Sequence, residues 1–233
     1  MTKHMVFIPG LLNSKRVFDS LIAELPEGVS AKAYECEAFD HVEAVAENLL
    51  SVFPESFIAC GFSFGGYVAL AMAKMAPERV KGLVLINSSG LPDHPKSAAL
   101  RADIIERVNG GEYQKIADAQ VKFASDPNWY ADPDSQVLLK TMIKEYGEQR
   151  FVAHLSACIN RSDQTAFLRQ LTLPTLVVAA SDDKIVPLKI QTKTAECIPN
   201  CRVVQLDDAG HMLPLEKPKQ AADAIAQWLL SEF

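Results

Sequence analysis

A serine hydroxyl becomes a useful nucleophile when a base within hydrogen-bond reach can take its proton and a carboxylate orients that base. One serine of this chain stands in a setting suited to that use, Gly61-Phe62-Ser63-Phe64-Gly65. It follows the apolar run Phe57-Ile58-Ala59-Cys60 and opens the helical run Tyr67-Val68-Ala69-Leu70-Ala71-Met72-Ala73. Strand, G-x-S-x-G, helix is the context of a nucleophile elbow, which exposes the serine hydroxyl at the carboxyl edge of a sheet. The turn is so tight that residues two before and two after the serine must lack side chains, a demand glycine meets without steric cost. The helix N-terminus behind the serine offers a partial positive charge to a developing oxyanion.

The base and the acid have candidates downstream, each at the end of an apolar run. After Thr175-Leu176-Val177-Val178-Ala179-Ala180 comes Ser181-Asp182-Asp183-Lys184-Ile185-Val186-Pro187, which puts two carboxylates just past a strand. After residues 202–206 comes Asp207-Asp208-Ala209-Gly210-His211, a glycine-containing loop that ends in a histidine. An oxyanion hole needs two backbone N–H groups. One belongs to Phe64, the residue after the serine. The second is expected from the loop Pro9-Gly10-Leu11-Leu12-Asn13-Ser14, with Leu11 as the donor. His4, His41, His94 and His154 stand apart from any such constellation of serine and carboxylate.

These residues must be carried by a scaffold, and the hydropathy pattern describes one. Apolar strand candidates lie at 5–8, 57–60, 82–86, 175–180 and 202–206, with a weaker one at 31–34. Helical segments fall between them: 18–25, a face made of Val42, Val45, Ala46, Leu49 and Leu50, the run after Ser63, and a closing amphipathic helix at 220–230. Continuous apolar strands alternating with helices indicate a mostly parallel sheet covered on both faces. The alternation breaks between Ile86 and Thr175. Residues 91–171 therefore read as an inserted helical lid, with 1–90 and 172–233 as the core. The lid aromatics Phe123, Trp129, Tyr130 and Tyr146 are candidates for a substrate pocket over Ser63, the alternative being that they hold the lid's own core.

Composition bounds the function. The 233 residues are 48% hydrophobic and 22% charged, enough to bury the core of one α/β domain with an insertion. A net charge of −6 argues against a nucleic-acid or anionic-membrane surface. The apolar run near the N-terminus is too short for a signal peptide and no stretch reaches membrane-spanning length, so a cytoplasmic protein is expected. Five cysteines fit reduced thiols, and Cys197 and Cys201 lack the partners that would make them a metal site. No cofactor is implied, because the chain has no G-x-G-x-x-G turn, no Walker A sequence and no metal-ligand cluster. Oligomeric state leaves no mark on the sequence.

Four segments in order resemble the α/β-hydrolase superfamily, in its branch of small serine hydrolases with a helical lid. They are Val6-Phe7-Ile8-Pro9-Gly10, Gly61-Phe62-Ser63-Phe64-Gly65-Gly66, Asp183-Lys184-Ile185-Val186-Pro187 and Gly210-His211-Met212-Leu213-Pro214-Leu215-Glu216-Lys217-Pro218. The resemblance implies an α/β-hydrolase fold and a Ser63–Asp183–His211 triad. It favours Asp183 over Asp182 because the family's carboxylate usually stands four residues before the Val-Pro proline, and it leaves Asp208 as a loop residue. It also implies two departures. Pro9-Gly10 replaces the family's common His-Gly, so a side-chain brace of the oxyanion loop is expected to be missing. Without the family's usual early hairpin, a six-stranded, all-parallel sheet is expected. The activity implied is hydrolysis of a small carboxylic ester through an acyl-enzyme on Ser63, with the small molecule as partner. Carbon–carbon bond or thioester hydrolysis by the same triad, and a ligand-binding sensor on a hydrolase scaffold, are the alternatives.

Overall fold

Strand β1 (Lys3–Ile8) divides its side chains between two hydrophobic cores, Met5 and Phe7 on one face of the sheet and Val6 and Ile8 on the other. That alternation follows from the two-residue period of a strand, and it explains why the buried strands read as unbroken apolar runs. In this computed structural model, which describes residues 3–233, β3 (Phe57–Phe62) and β5 (Thr175–Ala180) are buried at every position. β4 (Val80–Ile86) is buried except at Lys81. β2 (Val29–Ala33) and β6 (Cys201–Leu206) are only partly buried because they form the two edges. The six strands are all parallel and run in the order β2-β1-β3-β4-β5-β6.

One face is covered by α1 (Asp19–Ala23), the single-turn α11 (Leu213–Glu216) and α12 (Pro218–Glu232), with Phe18, Leu21, Ile225 and Trp228 in its core. The other is covered by α2 (Val42–Leu50), α3 (Phe64–Met75) and α10 (Leu188–Glu196). The helical pattern at 18–25 resolves into a single 3-10 turn, Lys15–Phe18, followed by the short α1. Between β4 and β5 the chain runs through six α-helices, α4 (Ser97–Arg107), α5 (Tyr113–Ala124), α6 (Pro127–Ala131), α7 (Pro133–Tyr146), α8 (Glu148–Asn160) and α9 (Thr165–Gln170), with a π-helical turn, Val108–Glu112, joining the first two. Among the described residues no helix is long and apolar enough to cross a membrane.

The topology places the site. From β1 the chain moves to β2 on one side and then returns past β1 to β3 on the other. At such a switch point the loops after β1 and β3 diverge and leave a crevice at the carboxyl ends of the strands, where ligands bind in open α/β sheets. Ser63 directly follows β3 and Leu11 follows β1, so both border that crevice.

Candidate active site

Ser63 has φ 51° and ψ −116°, a conformation that a side-chain-bearing residue keeps only when its surroundings force it. Those surroundings are specific. The Ser63 N–H donates to the Ile86 carbonyl at 2.9 Å, and the Ser63 carbonyl accepts from Gly66 N at 2.9 Å and from Ser88 Oγ at 2.7 Å. A Cβ on Gly61 would run into the Gly65 backbone, and one on Gly65 into the Ile8 carbonyl, so neither position admits a side chain without moving backbone. Four non-glycine residues among those described have positive φ: Leu12, Ser63, Asn87 and Asp208. They fall in the loops after β1, β3, β4 and β6, all at the carboxyl edge of the sheet. Backbone strain is thus concentrated where the crevice lies.

Ser63 Oγ donates to His211 Nε2 at 3.0 Å, and His211 Nδ1 donates to Asp183 Oδ2 at 2.8 Å. The other carboxylate oxygen of Asp183 accepts from Ile185 N at 2.7 Å and Val186 N at 2.8 Å, and Gln191 Nε2 reaches Oδ2 at 3.3 Å. Asp182 points elsewhere; its Oδ2 accepts from Ser181 Oγ at 2.7 Å. The His211 ring packs against Phe62 with centroids 5.1 Å apart. This arrangement can withdraw a proton from Ser63 and hold the imidazole in the tautomer that does so.

The loop that carries His211 is tied down from three directions. Asn87 Nδ2 donates to the carbonyls of Gly210 at 3.0 Å and His211 at 2.9 Å, while Asn87 Oδ1 accepts from Ala180 N at 2.9 Å. His211 N donates to the Ala124 carbonyl of α5 at 2.9 Å. The Glu216 carboxylate accepts from Gly210 N and, at 2.9 Å, from Asp126 N. Burial raises the Glu216 pKa, against the pull of these N–H groups. Sequence reading missed Asn87 and Glu216. The one signal for Asn87 was a polar Asn-Ser-Ser run directly after the apolar β4.

Phe64 opens α3, so its N–H has no partner within the helix. Leu11 lines the same cavity as Ser63. In this loop Asn13 N donates to the Gly10 carbonyl at 3.3 Å, which holds the peptide bearing the Leu11 N–H, and Asn13 Nδ2 donates to the Leu11 carbonyl at 2.7 Å. Behind Phe64 the His154 ring stacks at 4.5 Å and 23°. His154 Nε2 donates to the Glu37 carbonyl at 2.8 Å, so Nδ1 is the acceptor for Tyr146 Oη–H at 2.6 Å. Burial drives the His154 pKa down to about 4, with Arg150 adding to it, and keeps the ring neutral.

A cavity of about 440 Å³ opens on Ser63 and His211 beneath α4 and α5, walled mainly by apolar groups such as Leu12, Ile104, Val121 and Met212. Of the four aromatics expected to form a pocket, Phe123 lines it, 57% exposed, with Lys184 Nζ 5.7 Å from the ring centroid. Tyr146 does not. It ends the inward face of α7, after Leu139, Met142 and Ile143, and is buried beside His154. Trp129 and Tyr130 pack partly buried against the core and also stay out of the cavity. These three instead pack into the hydrophobic cluster that the sheet and the inserted helices share. Among the described residues no three His, Cys, Asp or Glu side chains are grouped as metal ligands.

A family model described as "alpha/beta hydrolase fold" matches residues 3–218, and the chain belongs to that family. It is similar to the sn-1-specific diacylglycerol lipase ABHD11 of Mus musculus, with 24% identity covering 97% of this chain and 80% of the relative. It is also similar to the 2-hydroxymuconate semialdehyde hydrolase of Pseudomonas sp. (strain CF600), with 28% identity covering 95% and 79%. Among solved structures, a thermophilic esterase from Thermogutta terrifontis with malate bound superposes at a TM-score of 0.90 with 25% identity, covering 98% of this chain and 90% of that one.

Proposed function

We propose that the protein is a serine hydrolase that cleaves small carboxylic esters through an acyl-enzyme on Ser63. The observation that carries this reading is the unbroken line from Asp183 Oδ2 through His211 to Ser63 Oγ, with bonds of 2.8 and 3.0 Å, opening on an apolar cavity. In this reading Ser63 Oγ attacks the ester carbonyl as His211 Nε2 takes its proton. The oxyanion accepts hydrogen bonds from Phe64 N and Leu11 N. His211 then gives the proton to the leaving alcohol, and in the second half activates a water that releases the acid. Asp183 holds the imidazole orientation and stabilises the imidazolium. The likeness to an esterase supports the ester reading. Carbon–carbon bond or thioester hydrolysis by the same serine is the second reading, supported by the likeness to a 2-hydroxymuconate semialdehyde hydrolase. All five cysteines are free, which suits the reducing cytoplasm as the place of action.

A fluorophosphonate label and a panel of p-nitrophenyl esters of graded acyl length test the proposal. Labelling is expected on Ser63 alone. Ser63→Ala is expected to abolish it and to lower ester turnover by about 10³-fold or more with the fold intact. A cavity of about 440 Å³ is expected to give kcat/KM that climbs over short acyl chains and then drops. Labelling that survives in Ser63→Ala refutes the assignment, and a labelled serine without turnover of any ester shifts the reading to the second one.

A further inference from the structure

A second cavity, about 350 Å³, also reaches Ser63 and shares Leu11, Ser97, Arg101 and Ile185 with the first. Its character differs. It contains Asp93, Arg101 and Arg161, two guanidiniums against one carboxylate. Arg101 Nη1 donates to Asp93 Oδ2, and Arg161 Nη2 donates to Asp93 Oδ1 at 2.6 Å and to the Leu91 carbonyl at 2.9 Å. Among the described residues the remaining guanidinium nitrogens of both arginines have no hydrogen-bond partner. Arg161 is the more enclosed, its side chain 7% exposed and its Nε buried without a partner, while its guanidinium lies 4.2 Å from the Tyr67 ring centroid. Arg101 lines both cavities and is 19% exposed.

The charge on Asp93 is secure. Burial works to raise its pKa, but the two guanidiniums outweigh that and hold the carboxyl below its ordinary value. Within the cavity that Ser63 shares, Asp93, Arg101 and Arg161 together carry one unit of positive charge in excess, with His94 as a further titratable side chain of the lining. The same three also line a neighbouring hollow with Asp163 and without Ser63. Glu43 and Asp163 border Arg161 from separate hollows that Ser63 does not line, and Asp163 is exposed and already bonded to Thr165. A half-buried excess cation is costly to leave unpaired once a ligand displaces its water. An arginine fork with free N–H donors is shaped to receive a planar carboxylate, and one excess charge matches a monoanion.

Resting on the hydrolase reading above, we infer that the two cavities divide the substrate at the scissile bond. The apolar one takes a hydrocarbon part, and the Arg101–Arg161 one takes a carboxylate on the other side of the ester. The substrate is then an ester of an acidic compound, not a neutral ester or a glyceride.

Matched ester pairs test this. One pair bears the charge on the acyl side, the mono-p-nitrophenyl ester of glutarate against its neutral methyl diester. The other bears it on the alcohol side, 4-acetoxybenzoate against its methyl ester. In one pair the acid is expected to exceed its neutral partner in kcat/KM by about ten- to a hundred-fold, as a hydrogen bond to a charged group gives. Arg101→Gln is expected to bring that ratio toward one, and Arg101→Lys to restore part of it. Preference for the neutral ester in both pairs, or an acid preference that Arg101→Gln leaves in place, overturns the inference. Titration of Ser63→Ala with glutarate and with dimethyl glutarate, followed by NMR, separates the two proposals. Binding of glutarate alone, lost in the double variant with Arg101→Gln, supports the anion site even if no ester is cleaved. Ester turnover with no acid preference in either pair refutes the anion site and leaves the hydrolase reading standing.

Discussion

Asn87→Ala tests whether the placement of His211 depends on a residue that never touches a substrate. The Asn87 side chain is fully buried and makes three bonds, to the carbonyls of Gly210 and His211 and from Ala180 N. Truncation leaves one N–H and two carbonyls without these partners. An orphaned buried donor costs about 1–3 kcal/mol, and carbonyls, with two lone pairs each, cost less. Asn87 also has φ 43°, which asparagine tolerates better than alanine, and this adds about 1 kcal/mol. The expected loss is about 3–4 kcal/mol for Asn87→Ala, and about 1 kcal/mol less for Asn87→Gly, which removes the strain but not the orphans. Urea unfolding at constant m-value reads both numbers. Loss of the tether also lets the His211 backbone shift, and a shift of about 1 Å costs about a hundred-fold in rate. Under conditions where the variant remains folded, the rate of Ser63 labelling by a fluorophosphonate is expected to fall by that order. An Asn87→Ala protein with wild-type stability would refute the bond accounting. One that loses stability yet labels at the wild-type rate would show that His211 is positioned by its other ties, to Ala124, Glu216 and Asp183.

Asp183→Asn is expected to lower kcat by about 10²- to 10⁴-fold while Asp182→Asn changes it little, since only Asp183 meets His211; a larger loss in Asp182→Asn contradicts the geometry. His154 supplies a pH dependence of stability. Its pKa is about 4 in the fold against 6.5 for the ordinary group, so on acidification the unfolded chain takes the proton first. The stability it contributes is present above about pH 6.5 and is lost as pH falls toward about 4, amounting to about 2 kcal/mol between about pH 7 and 5. Urea midpoints of wild type and His154→Gln measured across that range are expected to show a shallower slope in the variant, and parallel slopes would remove His154 as the source.

The elbow, the histidine loop and the parallel sheet were legible in the sequence because each is dictated locally. Gly61 and Gly65 report a turn in which a Cβ would meet backbone, and the unbroken apolar runs of β3 and β5 report strands covered on both faces. The choice between Asp182 and Asp183 was harder. Adjacent residues in a loop differ only in direction, and a family pattern had to stand in for the geometry that turns Asp183 toward His211. The helical insertion between β4 and β5 was the least legible. Trp129, Tyr130 and Tyr146 have the composition of a pocket wall, but they pack into the hydrophobic cluster, and only Phe123 of the four reaches the cavity. Asn87 contacts residues 93, 123 and 124 positions away, Glu216 reaches 90 positions back to Asp126, and Arg161 meets Asp93 across 68. Local sterics and hydropathy act over a few residues and determined the elements and the chemistry they carry. Which polar groups end up sharing a buried space is settled only when the sheet order and the packing of the inserted helices bring distant segments together.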